Sequence, residues 1–237
     1  MLRVTVWNEN VEENHAEVRA LHPNGIHGTV AEILRVDPEI EVRTCTLQDP
    51  DCGLTDEVLD NTDVLFWWAH CKHSSVPDEV VERVYNHVMK GMGFVGLHST
   101  HHSKIFTKLC GTPCHLSWHL DSRERVFTVN PSHPIASGIP MHFEIPSEEC
   151  YSEPFSIPEP DELVFIGWYN TGEVFRSGFC YNRGYGRIFY FQPGHETGLA
   201  FTVPEVHQVL RNAAHWAAPR QRIGKLVGPE VSPLEKV

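Results

Sequence analysis

The sequence predicts an α/β protein in which helices connect the strands of a mostly parallel central sheet. Apolar segments at 2–7, 62–68 and 93–97 are typical of buried strands, and segments with helical spacing of apolar residues lie between them at 25–36 and 77–91. Alternating strands and helices form right-handed βαβ units, which place their strands in parallel. The chain has 237 residues, of which 41% are hydrophobic, so one domain with a sizeable core is expected.

The elements of the first half follow from local pattern. LRVTVW (2–7) alternates β-branched residues, and IEVRTCTL (40–47) does the same, so both are predicted strands. TDVLFWW (62–68) is nearly all apolar, as in a parallel strand that is covered on both faces. The helix over 77–91 has a proline and two acidic residues in its first turn and a glycine after its last.

The second half is predicted to contain an insertion that is followed by three strands and a helix. Residues 112–160 are rich in Pro, His and Glu, which predicts a loop-rich insertion beside the sheet. The remaining elements are paired strands, a last core strand and a closing amphipathic helix, at 163–169 with 172–181, 186–191 and 204–218. We therefore predict a single domain over residues 1–218. The C-terminal tail, residues 219–237, has few large apolar residues and is expected to be loose or bound by a partner.

Charge and hydropathy exclude several classes of protein. The net charge of −12 argues against nucleic acid and anionic membrane surfaces as partners, because both require basic patches. No apolar run approaches the roughly 18 residues of a membrane span, and the N-terminus lacks the features of a signal peptide. The seven cysteines show no CxxC spacing and are interpreted as reduced thiols. A cytoplasmic protein is the expectation.

Histidines and carboxylates follow four of the predicted strands. The chain contains 16 histidines, and ligands of open parallel sheets bind at the carboxyl ends of the strands. The residues that follow these strands are Asn8, Glu9, His70, His98, His195 and Glu196, and His27 lies in the first turn of a helix that begins at the same edge. We predict that His70, His98 and His195 bind a divalent metal, with zinc favoured by neutral imidazole ligands.

The segment GLHSTHH (96–102) resembles a nucleophile elbow, in which a sharp turn after a strand presents the third residue to the substrate. That position normally holds Ser or Cys, but here it holds His98, and Ser99 comes one residue late. A serine hydrolase with His195 as the base remains an alternative. The acidic segment SEECYSEPF (147–155) supplies further candidates, although a solvated loop would also explain its composition.

Several long motifs resemble the ThuA (trehalose utilisation) family over residues 3–218. The motifs include VWNEN, GIHGTVAEIL, WWAHCKH, GMGFVGLHSTHHSKIF, CGTPCHLSW, EECYSEPFSIPEPDELVF and GEVFRSGFCYNRGYGRIFYFQPGHE. The resemblance implies a flavodoxin-like α/β sandwich of the class I glutamine amidotransferase-like type. In that class the elbow residue is a Cys, and a late His with a nearby carboxylate corresponds to His195 and Glu196. Because His98 replaces the thiolate, we expect no amidotransfer or glutaminase activity.

The resemblance implies a role in the catabolism of trehalose or a related 3-keto disaccharide, in functional association with a sugar-oxidising dehydrogenase. Our hypothesis is a metal-assisted isomerase or lyase with three acid or base candidates, His101, Glu149 and Glu196. The predicted substrate-binding residues are Trp7, Asn8, Glu9, His27, Tyr151 and Glu153. The alternative is a non-catalytic sugar-binding or regulatory protein on the same scaffold. The apolar closing helix and the tail are compatible with a homo-oligomer.

Overall fold

Nine strands and six helices make up the regular structure of the computed structural model, which describes residues 1–226, 228 and 230–235. The strands are β1 (Leu2–Asn8), β2 (Ile40–Thr46), β3 (Val64–Trp68), β4 (Gly93–Leu97), β5 (Ser117–Thr128), β6 (His142–Ser152), β7 (Glu162–Tyr169), β8 (Val174–Arg183) and β9 (Gly186–Phe191). The helices are α1 (Ala16–Leu21), α2 (Gly25–Arg35), α3 (Asp56–Asp60), α4 (Asp78–Met89), α5 (Lys104–Cys110) and α6 (Pro204–Ala217).

All the strands belong to one sheet, in the order β2-β1-β3-β4-β9-β8-β7-β5-β6. The first five in this order pair in parallel, and the remaining pairs are antiparallel. The α/β class is confirmed, but the prediction of a mostly parallel sheet is wrong because the sheet is mixed. The physical reason is the short connections between β7, β8 and β9, since a tight turn can only join antiparallel neighbours.

The predicted loop-rich insertion is also corrected, because residues 112–160 contain β5 and β6, the two longest strands of the sheet. Along the first part of β6 the buried residues Phe143 and Ile145 alternate with the exposed His142 and Glu144. This alternation is typical of an antiparallel strand with one solvated face. The exposed His142 and Glu144 therefore belong to the solvated face of a regular strand and do not mark a loop.

Helices cover both faces of the parallel half. On one face, α2 and α6 pack on Val4, Phe66 and Val95. On the other face, α4 and α5 pack on a second apolar cluster, in which Trp7 stacks on Trp67 with ring centroids 3.9 Å apart. These two layers fix the parallel strands, so that the residues following β1, β3, β4 and β9 meet at one edge of the sheet.

The residues after α6 return to the opposite edge of the sheet, where β3 and β4 begin. The backbone N–H of Ile223 donates to the Lys90 carbonyl at 3.0 Å, and the Arg222 guanidinium lies 3.1 Å from Asp63. This part of the tail is therefore tied to the domain, in contrast to the expected loose segment. The same expectation for residues 227, 229, 236 and 237 lies outside the described residues. Among the residues that the structure does describe, no helix has the length and apolar character to cross a membrane.

Candidate functional site

The turn after β4 has the backbone geometry of an elbow and presents a histidine. His98 begins a 3₁₀ turn over His98–His102 and has a φ of 52°, in the left-handed region that non-glycine residues rarely adopt. The Thr100 hydroxyl bonds the Leu97 carbonyl at 2.6 Å, and the Tyr190 hydroxyl donates to the His98 carbonyl at 2.8 Å. Gly96 is needed beside this turn, because a Cβ there would lie 2.9 Å from the Thr100 methyl group.

The His98 ring is oriented by a bond on each nitrogen. Nδ1 lies 3.2 Å from the Gln192 carbonyl, which can only accept, so Nδ1 carries a proton. Nε2 therefore faces Glu149 and lies 3.1 Å from its Oε2. Burial disfavours the charged imidazolium, but the bond and charge of Glu149 prevail and raise the pKa of His98. Burial also opposes ionisation of Glu149, and the bond from His98 prevails there too and lowers the pKa of that carboxyl.

His70 and His195 complete a cluster of imidazoles around His98. The ring centroid of His98 lies 5.6 Å from that of His70 and 5.2 Å from that of His195. Glu196 joins them, with Oε2 at 3.3 Å from His70 Nδ1 and Oε1 at 3.3 Å from His195 Nε2. One ligand atom from each of the four residues lies within 4.8 Å of the others. The structure thus brings the three predicted metal ligands together and adds a carboxylate.

The donor set fits a divalent cation. Among the described residues, Oε2 of Glu149 and Oε2 of Glu196 are buried and have imidazole nitrogens as their near neighbours, His98 Nε2 at 3.1 Å and His70 Nδ1 at 3.3 Å, so a positive charge at this place would stabilise both carboxylates. Burial, together with the charge of His98, lowers the pKa of His195 to about 3, so its imidazole is neutral and able to coordinate. Three imidazoles and a carboxylate are a ligand set that zinc accepts. The identity of the metal remains a prediction.

Glu148, for which the sequence analysis proposed no role, holds the loop that carries His195. Its carboxylate accepts the backbone N–H groups of Glu149, Gly194 and His195 at 3.0, 2.9 and 3.0 Å. Burial nevertheless raises the pKa of this carboxyl. Glu148 and Glu149 are adjacent in β6, but their carboxylates have different partners. One glutamate therefore positions the loop while the other faces His98.

These groups line a cavity of about 500 Å³. Seven predicted site residues line it or stand directly beside it: His70, His98, His101, Glu149, Tyr151, His195 and Glu196. The sequence analysis proposed no binding role for further lining residues, namely Glu17, Ser99, His102, Trp118, Leu120 and Thr197. Trp118 and Leu120 belong to β5, which lies in the segment that the sequence predicts to be a loop-rich insertion.

Two further side chains place polar atoms near His98. The Tyr151 hydroxyl lies 2.5 Å from Ser99 Oγ and 3.4 Å from His98 Nε2, and burial raises its pKa well above the usual value. It is therefore a neutral proton donor. His101 Nδ1 bonds the Cys114 carbonyl at 2.9 Å, and burial holds the pKa of this imidazole well below its usual value. His101 is thus a neutral base or hydrogen-bond partner.

Two predicted substrate-binding residues lie away from the cavity in well-defined structural roles. Trp7 is fully buried, stacks on Trp67 and donates its indole N–H to the Cys52 carbonyl at 3.1 Å. Its ring faces are covered, so it does not stack on a ligand. Glu153 bonds the Arg176 guanidinium at 2.7 and 2.8 Å instead of facing the site.

The three remaining predicted substrate residues support the strand ends from behind the cavity. The carboxylate of Glu9 accepts the N–H groups of Cys71 and Lys72 at 2.9 and 2.8 Å, which fixes the segment just after His70. The Asn8 amide bonds Glu13 and lies 3.2 Å from His27 Nδ1. The strand-end rule placed these residues at the correct edge of the sheet, but it did not predict which side chains face inward.

The fold and site together define an α/β protein with a mixed sheet and a histidine- and glutamate-lined cavity at the carboxyl edge of its parallel strands. The chain belongs to the ThuA family, described as "Trehalose utilisation", whose family model matches residues 3–217. This confirms the resemblance found in the sequence. No curated protein matches the chain.

Solved structures support the fold assignment. A putative ThuA-like protein from Parabacteroides merdae has a TM-score of 0.72 at 15% identity, covering 95% of this chain and 92% of that one. A second, from Bacteroides uniformis, has a TM-score of 0.67 at 17% identity, covering 93% and 92%. Cytoplasmic Protein STM1381 from Salmonella typhimurium LT2 has a TM-score of 0.64 at 9% identity, covering 92% and 100%. At these identities the similarity shows the fold alone.

Proposed function

We propose that the protein acts on trehalose or a related disaccharide in its 3-keto form, by a metal-assisted isomerase or lyase reaction. Membership of the ThuA family supports a role in carbohydrate utilisation. The observation that carries the proposed chemistry is the buried His98–Glu149 pair, 3.1 Å apart, beside three further groups able to hold a cation. Such a concentration of buried titratable groups at a cavity is costly to fold and typical of a catalytic site.

A 3-keto group makes the C–H at C2 of the same ring acidic, and a base is needed to remove that proton. Glu149 fits this role, because its lowered pKa keeps it ionised at neutral pH and its side chain lines the cavity. The C–H electron pair then forms the C2–C3 double bond, and the carbonyl oxygen becomes an enolate. The Tyr151 hydroxyl is placed to donate a hydrogen bond to this oxygen.

The enolate has two outcomes. In isomerisation, a proton is delivered to C3, the hydroxyl proton at C2 moves to the oxygen on C3, and the ketone reappears at C2. In elimination, a C1–C2 double bond forms, the C3 ketone returns, and the glycosidic oxygen leaves C1 with a proton from an acid. His101 is a candidate to carry protons, because it lines the cavity close to Tyr151. A sugar-oxidising dehydrogenase would supply the 3-keto substrate.

His70, His98, His195 and Glu196 are the residues that would hold the metal, and a divalent cation at this place would polarise the keto group. Glu196 would then be a ligand, which leaves Glu149 and His101 as the acid or base candidates. His98 would bind the metal through Nε2, because its Nδ1 bonds the Gln192 carbonyl.

Exchange of the C2 proton tests the proposed reaction directly. We expect the protein to incorporate deuterium from D₂O at C2 of 3-ketotrehalose, and Glu149→Gln to lower that rate at least a hundredfold, on the scale of losing a general base. A protein that binds the sugar without exchange or turnover would instead be the non-catalytic binder.

Metal content tests the ligand assignment with a matched control. His98→Ala is expected to lose most of the bound metal in elemental analysis while the fold is retained, because a ligand at the sheet edge contributes little to the core. His142→Ala removes an exposed histidine of β6 and should leave metal content unchanged. Full occupancy in His98→Ala would show that the ligand assignment is wrong.

A further inference from the structure

We propose that Trp118 forms a second sugar subsite at the mouth of the cavity, where its indole face stacks on the ring that is not oxidised. This inference rests on the proposed disaccharide function and extends it to a residue outside the predicted set. Trp118 is 61% exposed and Leu120 is 52% exposed, yet both line the cavity that contains the histidine cluster. An apolar wall at the opening of a polar cavity is complementary to a ligand that has both apolar and polar surfaces.

The strand register places Trp118 on the correct face. β5 and β6 pair antiparallel with Trp118 directly opposite Tyr151, and directly opposed residues project from the same side of a sheet. Leu120 lies two residues further along β5 and shares that side. The intervening His119 points to the other side, where its Nε2 lies 3.4 Å from Glu173. The indole is therefore aligned with the cavity by the backbone.

Depth separates the cavity into two zones. Tyr151 is buried and lies against His98, so the polar groups that act on the keto ring occupy the floor. Trp118 and Leu120 stand at the exposed end. A volume of about 500 Å³ lies in the range of pockets that enclose ligands larger than a single sugar ring. Pyranose rings carry hydroxyls at their edges and C–H groups on their faces. The polar groups at the floor of the cavity can bond the hydroxyls, and the Trp118 indole can stack on a C–H face.

Single exposed apolar residues are common on protein surfaces and need no explanation by themselves. The chain offers such a residue as a control, because Phe127 lies on the same strand, is 37% exposed and lines a different, apolar surface with Trp168. Both Phe127 and Trp118 are aromatic side chains on β5. Trp118 lies beside the cavity that contains the histidines, and Phe127 does not line that cavity.

The test compares Trp118→Ala, Trp118→Phe and Phe127→Ala with two ligand pairs, trehalose against glucose and 3-ketotrehalose against 3-ketoglucose. Trp118→Ala should raise Kd for trehalose and KM for 3-ketotrehalose about tenfold, the scale of exposing one apolar ring face. The values for the monosaccharides and kcat should stay within about twofold. Trp118→Phe should recover most of the loss, and Phe127→Ala should match the wild type.

The outcomes separate this inference from the proposed reaction. If Trp118→Ala weakens trehalose binding but no variant turns over the keto sugar, the subsite stands and the reaction is wrong. If the wild type turns over 3-ketotrehalose and Trp118→Ala leaves KM unchanged, the reaction stands and the subsite is wrong. Equal losses for monosaccharide and disaccharide, or a changed oligomeric state in Trp118→Ala, would overturn the subsite, and wild-type protein that binds neither sugar would overturn both.

Discussion

His98 illustrates how single contacts decide the chemistry of this site. Its left-handed backbone, its Nδ1 bond to the Gln192 carbonyl and its Nε2 contact with Glu149 fix the ring completely. The same turn places Ser99 beside Tyr151, 2.5 Å from its hydroxyl. Among the hydrogen bonds of the described residues, Ser99 Oγ has no histidine partner, which a catalytic serine requires. The alternative of a serine hydrolase therefore lacks its base.

Ser99→Ala provides the corresponding test at the residue scale. We expect the variant to retain activity on the keto sugar within about tenfold, because Ser99 only assists the orientation of Tyr151. Tyr151→Phe, which removes the hydroxyl near His98, should cost more. Steady-state kinetics of both variants would check this order. A loss of roughly a thousandfold or more in Ser99→Ala, the scale of removing a triad member, would revive the hydrolase.

At the scale of elements, the pair β5 and β6 carries much of the site. β6 contributes Glu148, Glu149 and Tyr151, and β5 contributes Trp118 at the cavity and the buried Glu124. Glu124 is fully buried, and its Oε1 accepts a bond from the Ser177 hydroxyl at 2.9 Å. Burial and the nearby charge of Glu148 raise the pKa of Glu124 well above its usual value. This carboxyl is therefore stable in its neutral form.

Glu124→Gln should make the free energy of unfolding less sensitive to pH. Because the folded-state pKa is raised, the stability that Glu124 contributes is complete below its unfolded pKa and is lost as pH rises through the folded value. The glutamine amide is uncharged at all pH values and is close in shape to the protonated carboxyl group. We expect a gain on the order of 1 kcal/mol at pH 8 and no gain at pH 4–5, measured by urea unfolding.

Glu144→Gln is the matched control for this measurement. Glu144 is an exposed residue of β6, where bonds from Arg125 and Arg123 lower its pKa. A lowered folded-state pKa gives the opposite pH dependence of stability. The stability that Glu144 contributes is present above its unfolded-state pKa and is lost as the pH falls through its folded-state pKa. The control should therefore show no gain at pH 8. A Glu124→Gln variant that loses stability at pH 8 would contradict the assignment of a neutral buried acid.

At the scale of the whole molecule, the sheet separates the cavity from the packed part of the C-terminal tail. The cavity lies at the carboxyl ends of the parallel strands, whereas residues 221–223 of the tail pack at the ends where β3 and β4 begin. Gly91 has a φ of 123°, and a Cβ at this position would lie 2.1 Å from the Gln221 carbonyl oxygen. The close approach indicates that residues 221–223 are part of the packed structure and remote from the site.

Truncation can separate these two regions. Removing residues 219–237 should lower the free energy of unfolding by about 1–2 kcal/mol, because it removes the Ile223 hydrogen bond and the Arg222–Asp63 pair. Metal content and sugar affinity should not change. Removal of residues 226–237 keeps both contacts and serves as the control. Loss of metal or sugar binding in the longer truncation would show that the tail reaches the site.

The sequence alone determined the strands of the parallel half, the family and the edge where the site lies. Apolar runs such as TDVLFWW and the helix signals at 77–91 are local patterns, which a sequence shows directly. A parallel sheet places the carboxyl ends of its strands at one edge, independently of the conformation of the loops. For that reason His70, His98, His195 and Glu196 were predicted at one site. Their spacing in the sequence carried enough information because each follows a well-marked strand.

Only the tertiary structure decided what β5 and β6 are and which side chains face the cavity. Their composition resembles that of loops, and the pairing of β5 with β6 and β7 joins segments that are distant in the sequence, so no local pattern specifies it. The direction of a side chain depends on register, and a shift of one residue turns it to the other face. Trp7 therefore packs in the core while Trp118 opens to the cavity, although both are tryptophans on strands beside the site.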